Sequence, residues 1–168
     1  MNESIPDRAL PELPGLIAAL RRYPALPEPT ALPVGDFEAR LLGPAWFRHF
    51  ARLGLAVGGL PRWHGKRFRA DGSGVNLLRP ASDGAPQVER LAMQLRLDRC
   101  RLDGRGVVRV GYDAAAVFPW PAVVDELRPW PAAGHEVWLG MARTDWRWSR
   151  GLSALRLPFA LVRDERHC

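Results

Sequence analysis

The alternation of apolar and polar residues in Glu89–Asp98 constrains the fold more than any other feature of the sequence. Leucine or methionine occupies every second position from Leu91 to Leu97, and arginine, glutamine or aspartate fills most of the other positions. A period of two predicts a β-strand with one buried face and one solvated face. We therefore expect a β-rich domain whose core receives Leu91, Met93, Leu95 and Leu97.

Seven further segments have the length and composition of short strands, with glycine-containing turns or proline-rich loops between several of them. Regular short strands without long intervening helices favour an antiparallel barrel or sandwich over a parallel α/β fold. A closed barrel of eight strands is large enough to enclose one small ligand. The eight predicted strands are Asp36–Leu42, Arg62–Arg69, Val75–Arg79, Glu89–Asp98, Val107–Tyr112, Val123–Arg128, Glu136–Arg143 and Leu155–Arg163.

Two helices accompany these strands. Leu10–Arg22 is amphipathic, and Tyr23–Pro33 carries four prolines, which predicts an extended arm over the surface. Ala45–Val57 has apolar residues at spacings of three and four, which predicts a short helix after the first strand, ended by Gly58-Gly59. We expect an N-terminal helix and arm over residues 1–33 and a single barrel domain over residues 34–168.

Composition places the chain among globular proteins. Its 168 residues are 47% hydrophobic and 25% charged, which suits one domain with a real core. The N-terminus lacks the order of a secretory signal, and no apolar run approaches the roughly 18 residues of a membrane span. We expect a cytoplasmic protein with no membrane span, and the sequence does not indicate an oligomeric state.

The basic residues are scattered along the chain. The formal net charge is +6, but the arginines form no stripe or tail, so we expect a solvated surface and no nucleic-acid partner. Only one of the 24 basic residues is a lysine, Lys66. A lysine, unlike an arginine, can be tuned by burial into a base or a Schiff-base amine, so Lys66 is a candidate functional residue.

No metal or cofactor motif is present. Cys100 and Cys168 lie far apart outside any C-x-x-C pattern, which predicts free thiols, and the four histidines have no ligand spacing. The sequence also lacks the nucleophile elbow, the phosphate loop and the dinucleotide fingerprint. We expect no metal and no cofactor, with haem binding through His64 as a weaker alternative.

The most polar group of residues lies in Trp63–Phe68 and the strand after it. Period-two geometry puts His64, Lys66 and Phe68 on one face and Trp63 on the other. A histidine and a lysine on one face can bind an anionic group or act as acid and base. The alternative is an exposed polar face beside a packed tryptophan.

Asp125 is the second candidate. Strand alternation puts it on the face of Val123 and Leu127, so it points inward if that face forms the core. A buried carboxylate needs a partner and has a shifted pKa, which makes it a site candidate. The alternative is that the other face is buried and that Glu126 finds the partner.

Tryptophan is frequent, with seven residues in the chain. Some fill the core, and a subset can line an apolar ligand pocket. The loop Thr144–Arg150 presents Trp146 and Trp148 between arginines, as at the mouth of a barrel or at a contact with a membrane or partner.

Five segments resemble one known family. They are Gly59–Phe68, Val75–Arg79, Val124–Arg128, Leu139–Met141 and Pro158–Arg163. Together they resemble the GXWXG-type bacterial proteins of unknown function over roughly Asp36–Arg163, although the glycine expected two residues before Trp63 stands instead at Gly59. The resemblance implies a compact calycin or lipocalin-like β-barrel and brings no established activity or catalytic residues.

Two functional hypotheses follow. The first is a barrel that binds an apolar or amphipathic small molecule. Its ligand-binding residues would be Trp63, Asn76, Arg79, Tyr112, Arg128, Trp138 and Met141, with Lys66 and Asp125 as further polar groups.

The second hypothesis is a cofactor-independent isomerase or cyclase acting on a hydrophobic intermediate. In it Asp125 is the acid or base, and Lys66 or His64 stabilises developing negative charge. A pocket that holds Asp125 and Lys66 together would favour the enzyme, and a wide, uniformly apolar cavity would favour the binder.

Overall fold

The computed structural model describes residues 12–80, 82, 85–144 and 156–164. Expectations for the start of the first helix, for Trp146 and Trp148, and for Cys168 fall outside these residues. Eight strands pair antiparallel in chain order, and the last closes on the first. They are β1 (Gly35–Leu41), β2 (Trp63–Phe68), β3 (Ser73–Leu78), β4 (Val88–Arg99), β5 (Gly106–Tyr112), β6 (Val123–Trp130), β7 (Val137–Thr144) and β8 (Leu157–Arg163).

The fold is therefore the predicted eight-stranded antiparallel barrel, as in lipocalin-like proteins, and not a sandwich. Strands β1 and β8 close the barrel by pairing from Phe37 opposite Arg163 to Leu41 opposite Phe159. A closed barrel leaves no row of unpaired backbone groups at a sheet edge. The strands predicted from alternation all occur, with ends within about two residues of the observed ones, a common margin for element boundaries.

Except at one end, the barrel interior is filled by a cluster of apolar side chains from every strand but β3. Met93 and Leu95 of β4 are buried there, as their alternation predicts. Leu97 was expected in the core but is 51% exposed. It pairs with Val108 of the interior cluster and so points to the inner side, close to the end of β4 at Arg99.

The N-terminal arm packs on the outside of the barrel. Helix α1 (Leu16–Arg22) leads into a 3-10 turn at Tyr23–Ala25. Ala19, Tyr23 and Leu26 pack there against outward side chains of β7 and β8. Those two strands are apolar on both faces because the interior covers one and the arm covers the other.

Helix α2 (Ala45–Val57) has the bounds that the apolar spacing predicts and lies over one end of the barrel. None of its residues is fully buried, and four large apolar side chains on it are exposed: Trp46, Phe50, Leu53 and Val57. Its C-terminal end is held by the indole of Trp120, whose Nε1 donates to the Gly58 carbonyl at 2.5 Å. Among the described residues, no helix is long and apolar enough to cross a membrane.

Candidate functional site

A cavity of about 450 Å³ lies between α2 and the barrel interior. Phe50 of α2 lines it while remaining 65% exposed, so the cavity reaches solvent beside the helix. Its walls are almost entirely apolar. They are formed by Leu41, Phe47, Phe50, Ala51, Gly54, Leu55, Leu60, Trp63, Pro119, Trp120, Val123, Ala142, Leu157 and Phe159, with Thr144, Lys66, Asn76, Tyr112 and Asp125 as the polar or ionisable members.

Lys66 is the centre of the polar wall. It is 1% exposed, and its Nζ lies 2.8 Å from the Tyr112 hydroxyl, 3.1 Å from Asp125 Oδ2 and 3.2 Å from Asn76 Oδ1. An ammonium group has three protons to donate, and three oxygens are in reach. We call Lys66, Asn76, Tyr112 and Asp125 the polar quartet.

Asp125 forms a buried ion pair with Lys66. Its side chain is on the inner face of β6, as the alternation with Val123 and Leu127 allows, and the residue is 2% exposed. The Tyr112 hydroxyl donates a hydrogen bond to the same Oδ2 at 3.1 Å. Burial of a charge is tolerated when it is paired and hydrogen-bonded, and both conditions hold here.

Asn76 joins the quartet to the backbone. Its Oδ1 accepts from Trp63 Nε1 at 2.9 Å as well as from Lys66, and its Nδ2 donates to the Leu91 carbonyl at 3.4 Å. The register of β3 against β4 shifts at this point, and Leu91 has a φ of 57°. This β-bulge turns the Leu91 carbonyl toward the asparagine.

A second β-bulge corrects the predicted faces of β2. The register against β3 shifts between Trp63 and Gly65, so Trp63 and Lys66 both point into the barrel, although period-two counting puts them on opposite faces. Gly65 lies against β1 so closely that an added Cβ would collide with the Phe37 carbonyl oxygen. Only glycine allows β1 to approach at this position.

The Tyr112 hydroxyl keeps its proton. Burial raises its pKa well above the ordinary value near 10, and the neighbouring Asp125 carboxylate raises it further. At neutral pH the hydroxyl is therefore protonated, and it donates to Asp125 and accepts from Lys66.

Five predicted site residues do not line the cavity. His64 is on the outer face, where its Nε2 lies 3.0 Å from Gln87 Nε2, and Arg79 is exposed. Trp138 packs in the interior but away from the cavity walls. Met141 and Arg128 point outward under the N-terminal arm. Even-numbered residues form the outer face of β6, and odd-numbered residues from Val137 to Met141 form the outer face of β7.

Arg128 belongs to a buried structural group on that outer face. Its guanidinium makes two hydrogen bonds of 2.8 Å with the Asp103 carboxylate and one of 3.0 Å with the Tyr23 carbonyl. Arg128 lowers the pKa of Asp103 to about 2. These contacts attach the arm and the β4–β5 turn to the barrel.

Glu126 is also buried, on the opposite side of β6 from Asp125. Arg143 donates to its Oε1 at 3.1 and 3.2 Å, and Cys100 Sγ lies 3.2 Å from Oε2. The sequence presented burial of Asp125 and burial of Glu126 as alternatives. Both occur, because the barrel covers one face of β6 and the arm covers the other.

Helix α2 contributes to the site, which was not expected from the sequence. Phe47, Ala51 and Leu55 form one wall of the cavity, together with Phe159 of β8. Apolar residues cover more of the circumference of α2 than a single buried stripe requires, and this pattern could have indicated the contribution. Among the described residues, no group of three His, Cys, Asp or Glu side chains is placed to hold a metal ion.

Comparisons with protein-family models, with curated proteins and with solved structures found no match to this chain.

Proposed function

We propose that the barrel binds a small amphipathic molecule, with its apolar body in the cavity and its polar end at the polar quartet. The observation that carries this proposal is a largely apolar cavity of about 450 Å³ that ends on one buried group of polar side chains. Ligand pockets typically measure roughly 300–1,000 Å³ and combine apolar walls with a few placed polar groups. The GXWXG resemblance and the cytoplasmic location stay predictions beside this proposal.

The cavity walls would supply most of the binding free energy. Removing apolar ligand surface from water contributes about 25 cal/mol for each Å² buried, and the walls here are almost all carbon. The polar quartet fixes orientation, because a polar group turned into the apolar walls would lose its hydrogen bonds to water without replacement.

Native mass spectrometry of freshly purified protein tests the proposal. We expect a mass larger than that of the chain, which returns to the chain mass on denaturation. Ala51→Trp, which fills the cavity from α2, should abolish the added mass. Ala56→Trp is the matched control, because Ala56 is exposed on the same helix and does not line the cavity. Equal added mass in both variants would show that the molecule binds elsewhere.

A second candidate function is a cofactor-independent isomerase or cyclase. The observation that favours it is the contact of Lys66 with Asp125 in one pocket wall. In such an enzyme the Asp125 carboxylate would take a proton from the substrate, while Lys66 and Tyr112 would stabilise negative charge that develops on an oxygen. We place it second because the ammonium of Lys66 already donates to Asn76 Oδ1 and to the Tyr112 hydroxyl and is paired with Asp125.

The co-purified molecule separates the two candidates. If the protein is an enzyme, incubation of that molecule with the native protein changes its structure, and Asp125→Asn binds it without changing it. If the protein is a binder, chromatography recovers the molecule unchanged from both.

A further inference from the structure

The ammonium of Lys66 and the hydroxyl of Tyr112 are already directed to protein acceptors. Lys66 Nζ donates hydrogen bonds to Asn76 Oδ1, to the Tyr112 hydroxyl and, at 3.9 Å, to Met93 Sδ. It also forms an ion pair with Asp125, to which the Tyr112 hydroxyl donates. The indole of Trp63 donates to Asn76. At the polar quartet and Trp63, a ligand that can only accept hydrogen bonds, such as a carboxylate, therefore meets no free ammonium, phenol or indole donor of a described residue.

One strong acceptor remains available. Lys66 and Tyr112 both contact Oδ2 of Asp125, and no described residue donates to its Oδ1. A carboxylate has about four acceptor sites on its two oxygens, and a buried oxygen gains from each additional donor. Asp125 also lines the cavity, so a bound molecule can reach it.

The net charge of the site points to an uncharged ligand. The charges of Lys66 and Asp125 cancel, and among the described residues the only other ionisable side chain that lines the cavity is Tyr112, which is neutral. An anionic ligand would bring an unbalanced negative charge next to Asp125, and an ammonium ligand would bring an unbalanced positive charge next to Lys66. Either one would have to leave water for an apolar cavity, which costs several kcal/mol.

We infer that the ligand is an uncharged amphipathic molecule whose polar end is a hydrogen-bond donor, such as a hydroxyl group, bound to Oδ1 of Asp125. This inference rests on the proposed function, and it specifies which molecules the cavity takes. Long-chain alcohols and hydroxylated polycyclic molecules belong to the class. Fatty carboxylates do not.

Three probes of one size test the inference. Decanol, methyl nonyl ether and decanoate have similar apolar bodies, but only decanol is an uncharged donor. We would measure their dissociation constants from the native protein near neutral pH by calorimetry. A hydrogen bond to a charged acceptor contributes roughly 1.5–3 kcal/mol, so decanol should bind about tenfold or more tightly than the ether, and decanoate should bind more weakly than decanol by a similar factor or more.

Asp125→Asn makes the net charge of the site positive, because it leaves the buried ammonium of Lys66 without its carboxylate. In this variant the preference should change sign, with decanoate bound more tightly than decanol. Circular dichroism checks that the variant is folded, and the comparison of probes on the native protein stands without it. Ala51→Trp should lose the binding of every probe, and Ala56→Trp should keep it.

The outcomes separate the inference from the proposed function. If no probe binds and the purified protein carries no added mass, the proposed function is wrong. If the probes bind but decanoate or the ether binds as tightly as decanol, the cavity is a ligand site and the inference about Asp125 is wrong.

Discussion

At the scale of single residues, the site depends on one lysine. Lys66 is the only lysine of the chain, and it lies in the barrel with a carboxylate, a phenol and an amide around its Nζ. Its ammonium also lies 5.8 Å from the ring centre of Trp63 and 6.0 Å from that of Phe159. Aromatic faces attract a cation, so the apolar neighbours help to accommodate the buried charge.

The pair of Lys66 and Asp125 should behave as one energetic unit. Lys66→Met or Asp125→Asn alone leaves a buried charge without its partner, which we expect to lower the free energy of unfolding by roughly 3–5 kcal/mol. The double variant removes both charges and should cost clearly less than the sum of the two single changes. Urea unfolding of the four proteins measures this coupling. Additive costs would show that the pair contributes nothing as a pair.

Both tyrosines of the chain should resist ionisation. Burial is the main cause that raises the pKa of Tyr23 and of Tyr112 far above the ordinary value. In the unfolded chain they ionise near pH 10, so above about pH 10 the unfolded state binds fewer protons than the folded state. Stability should therefore fall as the pH rises beyond about 10, and it is unaffected by these groups below that pH.

Ultraviolet absorbance of tyrosinate, followed together with circular dichroism, measures this effect. Tyrosinate should form only as the barrel unfolds. If half of the full tyrosinate absorbance appeared at about pH 10 while circular dichroism still showed a folded barrel, one of the two hydroxyls would not be buried.

At the scale of elements, the strands and α2 differ in how they are held. Each strand has two paired neighbours in the closed barrel, whereas α2 has no fully buried residue and covers the cavity. Local stability follows buried apolar contact and protected hydrogen bonding. The helix is thus the part of the described site best able to open for a ligand.

Hydrogen exchange should show this difference. We expect the amides in the middle of α2 to exchange at least about tenfold faster than the paired amides of β5 and β6, whose side chains include the fully buried Val108 and Leu127. Exchange measured residue by residue by NMR, with β7 as a second rigid reference, checks it. Equal protection of α2 and the strands would mean that the helix opens only when the whole barrel unfolds.

At the scale of the whole molecule, the barrel has a second buried layer outside its walls. The Tyr23 hydroxyl donates to the Glu126 carbonyl at 2.7 Å, and the guanidinium of Arg128 lies 4.8 Å from the centre of the Tyr23 ring. The arm thus covers buried polar groups of β6 as well as apolar side chains of β7 and β8. It is part of the packed structure of the domain.

Removing a single anchor of the arm should therefore destabilise the entire barrel. Tyr23→Ala deletes a buried ring and its hydrogen bond, and a loss of about 3–5 kcal/mol of unfolding free energy is expected from large-to-small core changes. Ile17→Ala, on the exposed side of α1, is the control and should change stability by less than about 0.5 kcal/mol. Chemical denaturation measures both. Equal effects would mean that the arm is not anchored through Tyr23.

Sequence alone located the strands and the helix α2, because alternation and apolar spacing are local properties of the chain. It singled out Asp125 as a site candidate but left open whether its side chain points inward. Local patterns gave the wrong face where a β-bulge adds a residue to a strand, and where the N-terminal arm buries the outer face of the barrel as well. The β-bulge beside Gly65 turns Trp63 to the side of Lys66, and a period-two count contains no sign of it. Met141 and Arg128 face outward because β6 to β8 are covered on both sides, and a strand buried on both faces does not show which face is inside.

The amino-acid sequence by itself therefore determined a β-rich chain of eight short strands and the residue types from which a polar site could form. The tertiary structure decided which of those residues meet. Closure of the barrel brought Lys66, Asn76, Tyr112 and Asp125 from four strands to one wall, and it left α2 over the cavity beside them. The physical reason is that strand registers, bulges and the packing of the arm depend on contacts between residues far apart in the chain, which no local pattern encodes.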